Sequence, residues 1–235
     1  MRFTFGHSRF ALAGLAIALT APRTAHAQEL SGTYVRYCDV GDTGSLLNGA
    51  RSVAYGETAA ATVCDVFAQG TYNEGYLIAG ARGTTAINVY VADDLSTSVV
   101  SALATVSGRT INWSSTTATG SIAITQEMSF ATTDRSVRLR VTLRNTGATA
   151  ITNLYYARWS DPDQAVCGAS DYSTANDVVR QGPGAGGSLV TATAGGVAVG
   201  IGSFDPRARA TVPGSVSSTT VATDFLKSNI GYVSL

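Results

Sequence analysis

The chain has 235 residues, 16 basic and 16 acidic side chains, 25 glycines, three cysteines and two histidines. Both histidines, His7 and His26, fall within the first 27 residues, so everything beyond Ala27 lacks an imidazole. That excludes Ser-His-Asp and Cys-His nucleophilic catalysis there and, with no C-x-x-C pair present, also the ordinary zinc sites and the 2-His-1-carboxylate iron site.

At the N-terminus, Arg2 and Arg9 precede the apolar run Ala11 to Thr20, and Ala25 and Ala27 stand three and one positions before Gln28. This is the pattern of a secretory signal peptide cleaved after Ala27. The run is well short of the roughly 20 apolar residues a membrane span needs. Export without an integral membrane segment is therefore expected, to a secreted, periplasmic or cell-surface location. Losing Arg2, Arg9 and Arg23 reduces the 16 basic groups to 13 against 16 acidic ones. With no basic stripe left, nucleic acid and anionic membranes are poor partners. Carboxylate chemistry and hard-metal binding through oxygen survive these exclusions.

The mature region, residues 28–235, is of a size that suits one all-β domain. Its strand candidates in chain order are TYVRYC, ATVCDVF, AINVYV, TINW, SIAIT, SVRLRVTLRN, ITNLYYARW, SLVTATA, GVAVGIG and NIGYVSL. No helical apolar stripe of useful length accompanies them, and the breaks between them carry turn-forming Gly, Ser, Asp and Pro. The expected fold class is all-β, an antiparallel β-sandwich with a larger supersandwich as its variant. Cys38 and Cys64 lie in neighbouring predicted strands and are the expected disulfide. Cys167 is then left as a small buried apolar residue.

Glu74, one of only four glutamates, stands between Tyr72 and Tyr76 in a turn-rich stretch, an arrangement of carboxylate and aromatic walls that suits a sugar. Asn112 opens an N-W-S glycosylation pattern, which matters only in a eukaryotic secretory route.

In SVRLRVTLRN, Val137, Leu139, Val141 and Leu143 alternate with Arg138, Arg140, Thr142 and Arg144, so one face is core and the other meets water or a neighbour. The arginine ladder could hold acidic polysaccharide; the plainer reading is that it pairs with acidic residues of the next strand. The N-T-G turn that follows predicts a hairpin spanning residues 137–159. Its second strand would carry Leu154, Tyr156 and Arg158 on one face and Tyr155, Ala157 and Trp159 on the other.

Pro162 then stops the ladder, leaving Asp161 and Asp163 in a loop, followed by Asp171, Asn176 and Asp177. Five such oxygen donors are a candidate calcium site, although they do not follow the EF-hand pattern and serve equally as turn formers. Glu74 with Asp161 or Asp163 would be the pair for glycoside chemistry. Gly182, Gly184 and Gly187 match G-x-G-x-x-G, but a strand pattern follows where a dinucleotide site requires a helix.

The stretches GTYNEGY, VTLRNTGATAITNLYYARWSDPDQ, DYSTANDVV and LVTATAGGVAVGIGSFDPRA, in that order, resemble a poorly characterised group of exported bacterial β-sandwich proteins found at cell surfaces. The resemblance covers roughly residues 65 to 210 and is most specific at the N-T-G turn and the strand ending in D-P-D-Q. It implies a secreted all-β fold and places Glu74, Asp161, Asp163, Gln164 and Asn176 at matching positions. It also implies a further Gly-rich segment beyond Leu235; the two cysteines near the start depart from the pattern.

The functional expectation is an exported non-enzymatic binding module at a surface or in a matrix. Its partner would be an extracellular glycan or another surface protein, contacted through Glu74, Tyr72, Tyr76, Arg158 and Trp159, with calcium steadying the loop at Asp161 to Asp177. Two alternatives stand beside it: a carbohydrate-active enzyme using carboxylates, and a structural envelope component.

Overall fold

The computed structural model describes residues 29–38, 41–46, 53–56, 64–65, 74–92, 98–160, 174–181, 186–194, 197–212 and 233–234. Every regular element in them is a strand: β1 (Glu29–Ser31), β2 (Val35–Cys38), β3 (Val53–Tyr55), β4 (Cys64–Asp65), β5 (Glu74–Arg82), β6 (Thr85–Ala92), β7 (Thr105–Ser107), β8 (Thr110–Thr116), β9 (Ile122–Ser129), β10 (Arg138–Asn145), β11 (Ile151–Ser160), β12 (Ala175–Arg180), β13 (Ser188–Ala194), β14 (Val197–Ser203) and β15 (Val233–Ser234). They form four antiparallel sheets, ordered β1-β2-β3-β4, β10-β9-β8-β7, β15-β11-β5-β6 and β12-β13-β14. The protein is an all-β chain of antiparallel sheets packed as a β-sandwich.

The main core explains the packing. In β9 the residues Ile122, Ile124, Gln126 and Met128 are buried while their neighbours are only half covered, the period of two that a one-sided sheet requires. Together with Ile111 and Trp113 of β8 they meet Tyr76, Ile78, Val89, Val91 and Tyr156 from the sheet containing β5. Burying each such side chain contributes about 1.5–3 kcal/mol. β5 itself is buried on both sides. Leu77, Ala79, Ala157 and Trp159 form a second cluster on its other face, with Trp159 stacked on Tyr90 at 5.0 Å between ring centroids. This gives β5 an unbroken buried run and β11 another from Tyr156 to Trp159. Gly75 makes room for that indole: a Cβ there would lie 1.9 Å from Val91 O and 2.6 Å from the Trp159 ring.

Residues 41–46 connect the sheets. Trp113 Nε1 donates to Asp42 O and Ala102 O, and the Tyr76 hydroxyl donates to Thr43 O at 2.7 Å. Gly44, at φ +79°, lies flat on the Trp113 ring and the Gln126 amide, where a Cβ would be 2.7 Å from both.

The N-T-G turn does not close a hairpin. β10 pairs with β9, whereas β11 pairs with β5 and β15, so residues 145–150 cross from one sheet to the other. Arg82 of β5 fixes the crossing, its Nη2 donating to Ser121 O and to Asn145 Oδ1, each at 2.7 Å. A turn that looks right for a hairpin serves equally as an arch. The apolar faces of β10 and β11 decide, because each is satisfied by facing the other sheet across the core.

The cysteine expectation meets a similar correction. Cys64 pairs with Tyr55 of β3, and Tyr55 pairs with Val35 of β2. Cys38 therefore lies two strands away and further along the sheet. Two strand spacings are about 9.5 Å, beyond the roughly 4.4–6.8 Å that a disulfide spans between Cα atoms. Cys167 lies outside the described residues.

Gly187 runs directly into β13, so the glycine-rich stretch opens a strand there. In the three-stranded sheet, Val178, Val190 and Ile201 pack on Ala208 and Ala210, and Gln181 clamps the Ala210 backbone by accepting from its N–H at 2.8 Å and donating to its carbonyl at 3.0 Å.

Candidate functional site

Glu74 begins β5 and faces the main core, fully buried. The register sets Arg158 of β11 opposite Tyr76, on the same face, and Arg158 Nε donates to Glu74 Oε1 at 2.6 Å. The other carboxylate oxygen accepts from Ser45 Oγ at 2.9 Å and from Leu46 N at 2.6 Å. Arg158 Nη1 reaches Gln126 Oε1 at 2.8 Å and the Tyr156 hydroxyl at 3.3 Å. Burial opposes the Arg158 charge, yet the Glu74 carboxylate beside it outweighs that and holds its pKa above the ordinary arginine value. Burial pushes the Tyr76 and Tyr156 phenols well above the usual tyrosine range, so both stay protonated. Arg158 Nη2 and Gln126 Nε2 are buried without a hydrogen-bond partner among the described residues.

Chemically this is a neutralised interior pair. Glu74 accepts from three groups and Arg158 saturates its charge, so neither is presented to a solute. The expectation that Glu74, Tyr76, Arg158 and Trp159 line a ligand site gives way to a structural one, since all four are buried and Trp159 belongs to the opposite face of the sheet. Tyr72 lies outside the described residues. For all its turn-rich flanks, Glu74 is a buried strand residue. The signal for this is YLIAGA, which begins two positions after it and is an apolar run long enough for a strand buried on both faces.

Asp161, Asp163 and Asp171, with Gln164, lie outside the described residues. Asn176 and Asp177 are on β12, not in a loop; they pair with Ala192 and Thr191 and are exposed. Successive strand residues point to opposite faces, so these two do not converge on one ion as expected for calcium. Among the described residues, no group of three or more His, Cys, Asp or Glu is close enough to hold a metal.

A second arrangement lies on the outside. The register aligns the outward side chains of β10-β9-β8-β7 in rows across the sheet. One row is Arg138, Ser129, Thr110 and Ser107, the next Arg140, Glu127, Asn112 and Thr105, and the third Thr142, Thr125 and Ser114. Arg144 lies beyond, opposite Ala123. Only Glu127 is acidic, and it pairs with Arg140 at 3.5 Å. Arg138 and Arg144 are exposed and have no carboxylate within 4.0 Å among the described residues. The predicted pairing of the ladder with the next strand thus holds for Arg140 alone of the three.

A cleft of about 170 Å³ opens beside Val141, Leu143, Leu154, Tyr156 and Arg207. It is small against the roughly 300–1,000 Å³ of ordinary ligand pockets. Its arginine is occupied: Arg207 grips Asp205 through Nε at 2.9 Å and Nη2 at 2.6 Å, and these bonds lower the Asp205 pKa to about 2. The Ala208 N–H also donates to Asp205 O at 3.0 Å, which closes a turn there.

Compared with family models, with curated proteins and with solved structures, the chain matches none.

Proposed function

We propose that this is an exported, non-enzymatic β-sandwich that binds an extracellular glycan, using the outer face of the β10-β9-β8-β7 sheet. The observation that carries the reading is the composition of that face. Apart from Ala123, every outward residue on its four strands bears a hydroxyl, an amide, a guanidinium or a carboxylate. Hydroxyls and planar amide or guanidinium groups set about 4.8 Å apart across strands suit a polymer that is itself a lattice of hydroxyls.

The enzymatic alternative loses its best residue, because a general acid or base must reach the substrate and Glu74 is tied to Arg158, Ser45 and Leu46 inside the core. Export rests on the leader pattern ending at Ala27. The test is retention of the protein starting at Gln28 on columns of immobilised neutral and acidic polysaccharides. Delayed elution on at least one supports the reading, and passage in the void volume on all of them defeats it.

A further inference from the structure

We infer that the outer sheet face is a site for carboxylated polysaccharide, with Arg138 and Arg144 as its two anion contacts; this rests on the glycan reading above and narrows it. Three observations converge. Both arginines stand fully out from β10 with no carboxylate within reach among the described residues, while Arg140 between them is held by Glu127. No acidic residue stands opposite either of them on β9: their register partners are Ser129 and Ala123. The face therefore carries two uncompensated positive charges on a chain whose mature region is mildly acidic.

The geometry sets the kind of anion. The two arginines stand six positions apart on β10, about 20 Å along the strand, so one compact anion cannot bridge them and an extended polymer can. Guanidinium forks match carboxylate oxygens two at a time. Between the forks lie Thr142, Thr125 and Ser114, with Ser114 Oγ donating to Thr125 Oγ1 at 3.3 Å, and these hydroxyls are suited to bonding sugar hydroxyls. The same face carries no aromatic side chain on which a base could stack and no apolar side chain larger than Ala123 that could enter a lipid surface.

The experiment measures binding of the chain from Gln28 to polygalacturonate, to dextran as the neutral control and to dextran sulfate as the non-carboxylate anion. Wild type is expected to bind polygalacturonate, and the pair Arg138→Ser with Arg144→Ser to bind it at least tenfold more weakly. Arg180→Ser, which removes one positive charge on exposed β12, is expected to bind as wild type does. Because the side chains replaced are exposed, melting temperature should not change. Should it change, wild-type binding in about 0.5 M salt reads the same charge dependence without a substitution, since screening then acts over a few ångströms. Unaltered binding by the double variant, or binding resistant to that salt, overturns the site and leaves the glycan reading standing. Binding to dextran alone does the same, and preference for dextran sulfate overturns the carboxylate assignment. No binding to any of the three overturns both.

Discussion

Arg158 and the pair Arg138 and Arg144 occupy consecutive strands and similar alternating sequence, yet one is buried at 6% exposure and the others stand in solvent. Two features separate them. β10 is the edge of its sheet and covered on one face only, so its polar positions go outward. β11 lies between β15 and β5 and is buried on both faces from Tyr156 to Trp159, so a polar residue in that stretch must find an interior partner. A β-bulge between Thr152 and Tyr155, with Asn153 at φ 49°, resets the register just before Arg158 arrives opposite Tyr76. Where the strand sits in its sheet decides whether an arginine is a structural ion or an available one.

The largest effect that would test this contrast is the loss of one partner of the buried pair. Arg158→Met leaves Glu74 as a buried acid with Ser45 and Leu46 still donating to it, and should cost about 3–5 kcal/mol in urea unfolding. Arg138→Met, the same change on the outer face, should stay within roughly 0.5 kcal/mol. Replacing Glu74 and Arg158 together by Met should recover much of the loss, because buried pairs are often matched by apolar residues of similar volume. If the single and double variants unfold alike, the pair does not act as a unit.

The strands that could be read in the sequence were those with one wet face. The alternation in SVRLRVTLRN sets Arg138 and Arg140 against Val137 and Leu139, and β10 forms there with those faces. SLVTATA is β13 from end to end. The burial of β5 and of the end of β11 is not legible in the sequence, because cover on both faces erases the period of two, and Glu74 and Arg158 stand in it beside turn residues and at a strand end. No local signal in GDTGS announces a segment that closes over Trp113 and Glu74, since the groups it meets there are 29 to 71 residues away. The hairpin misreading of residues 137–159 has the same origin: turn chemistry is local, and the choice of sheet is not.

A smaller and pH-dependent difference follows from the phenols around the buried pair. Tyr76 and Tyr156 have pKa values raised above 10.0 in the fold, chiefly by burial. Unfolded, they would release protons near that ordinary value, so above it the folded state binds more protons than the unfolded one. Their contribution is therefore complete below pH 10 and declines as pH rises further, by up to about 1.4 kcal/mol per pH unit for each phenol. Tyr76→Phe should flatten this alkaline decline by roughly half while lowering neutral stability by about 0.5–1.5 kcal/mol for the bond lost to Thr43 O. An alkaline profile unchanged by the substitution would mean that Tyr76 titrates in the fold as it does in the unfolded chain.

The smallest effect belongs to the outer face, and it distinguishes Arg140 from its two neighbours. Arg140 and Glu127 are both well exposed at 3.5 Å, so a double-mutant cycle with Arg140→Ser and Glu127→Gln should give a coupling of only about 0.2–1 kcal/mol that fades in salt. The informative readout is binding. With Glu127 neutralised, Arg140 joins Arg138 and Arg144 as an uncompensated cation, so Glu127→Gln should strengthen retention on polygalacturonate by a few fold while leaving unfolding almost untouched. Unchanged or weaker retention would mean that the carboxylate at the centre of the face is not what keeps Arg140 from an acidic polymer.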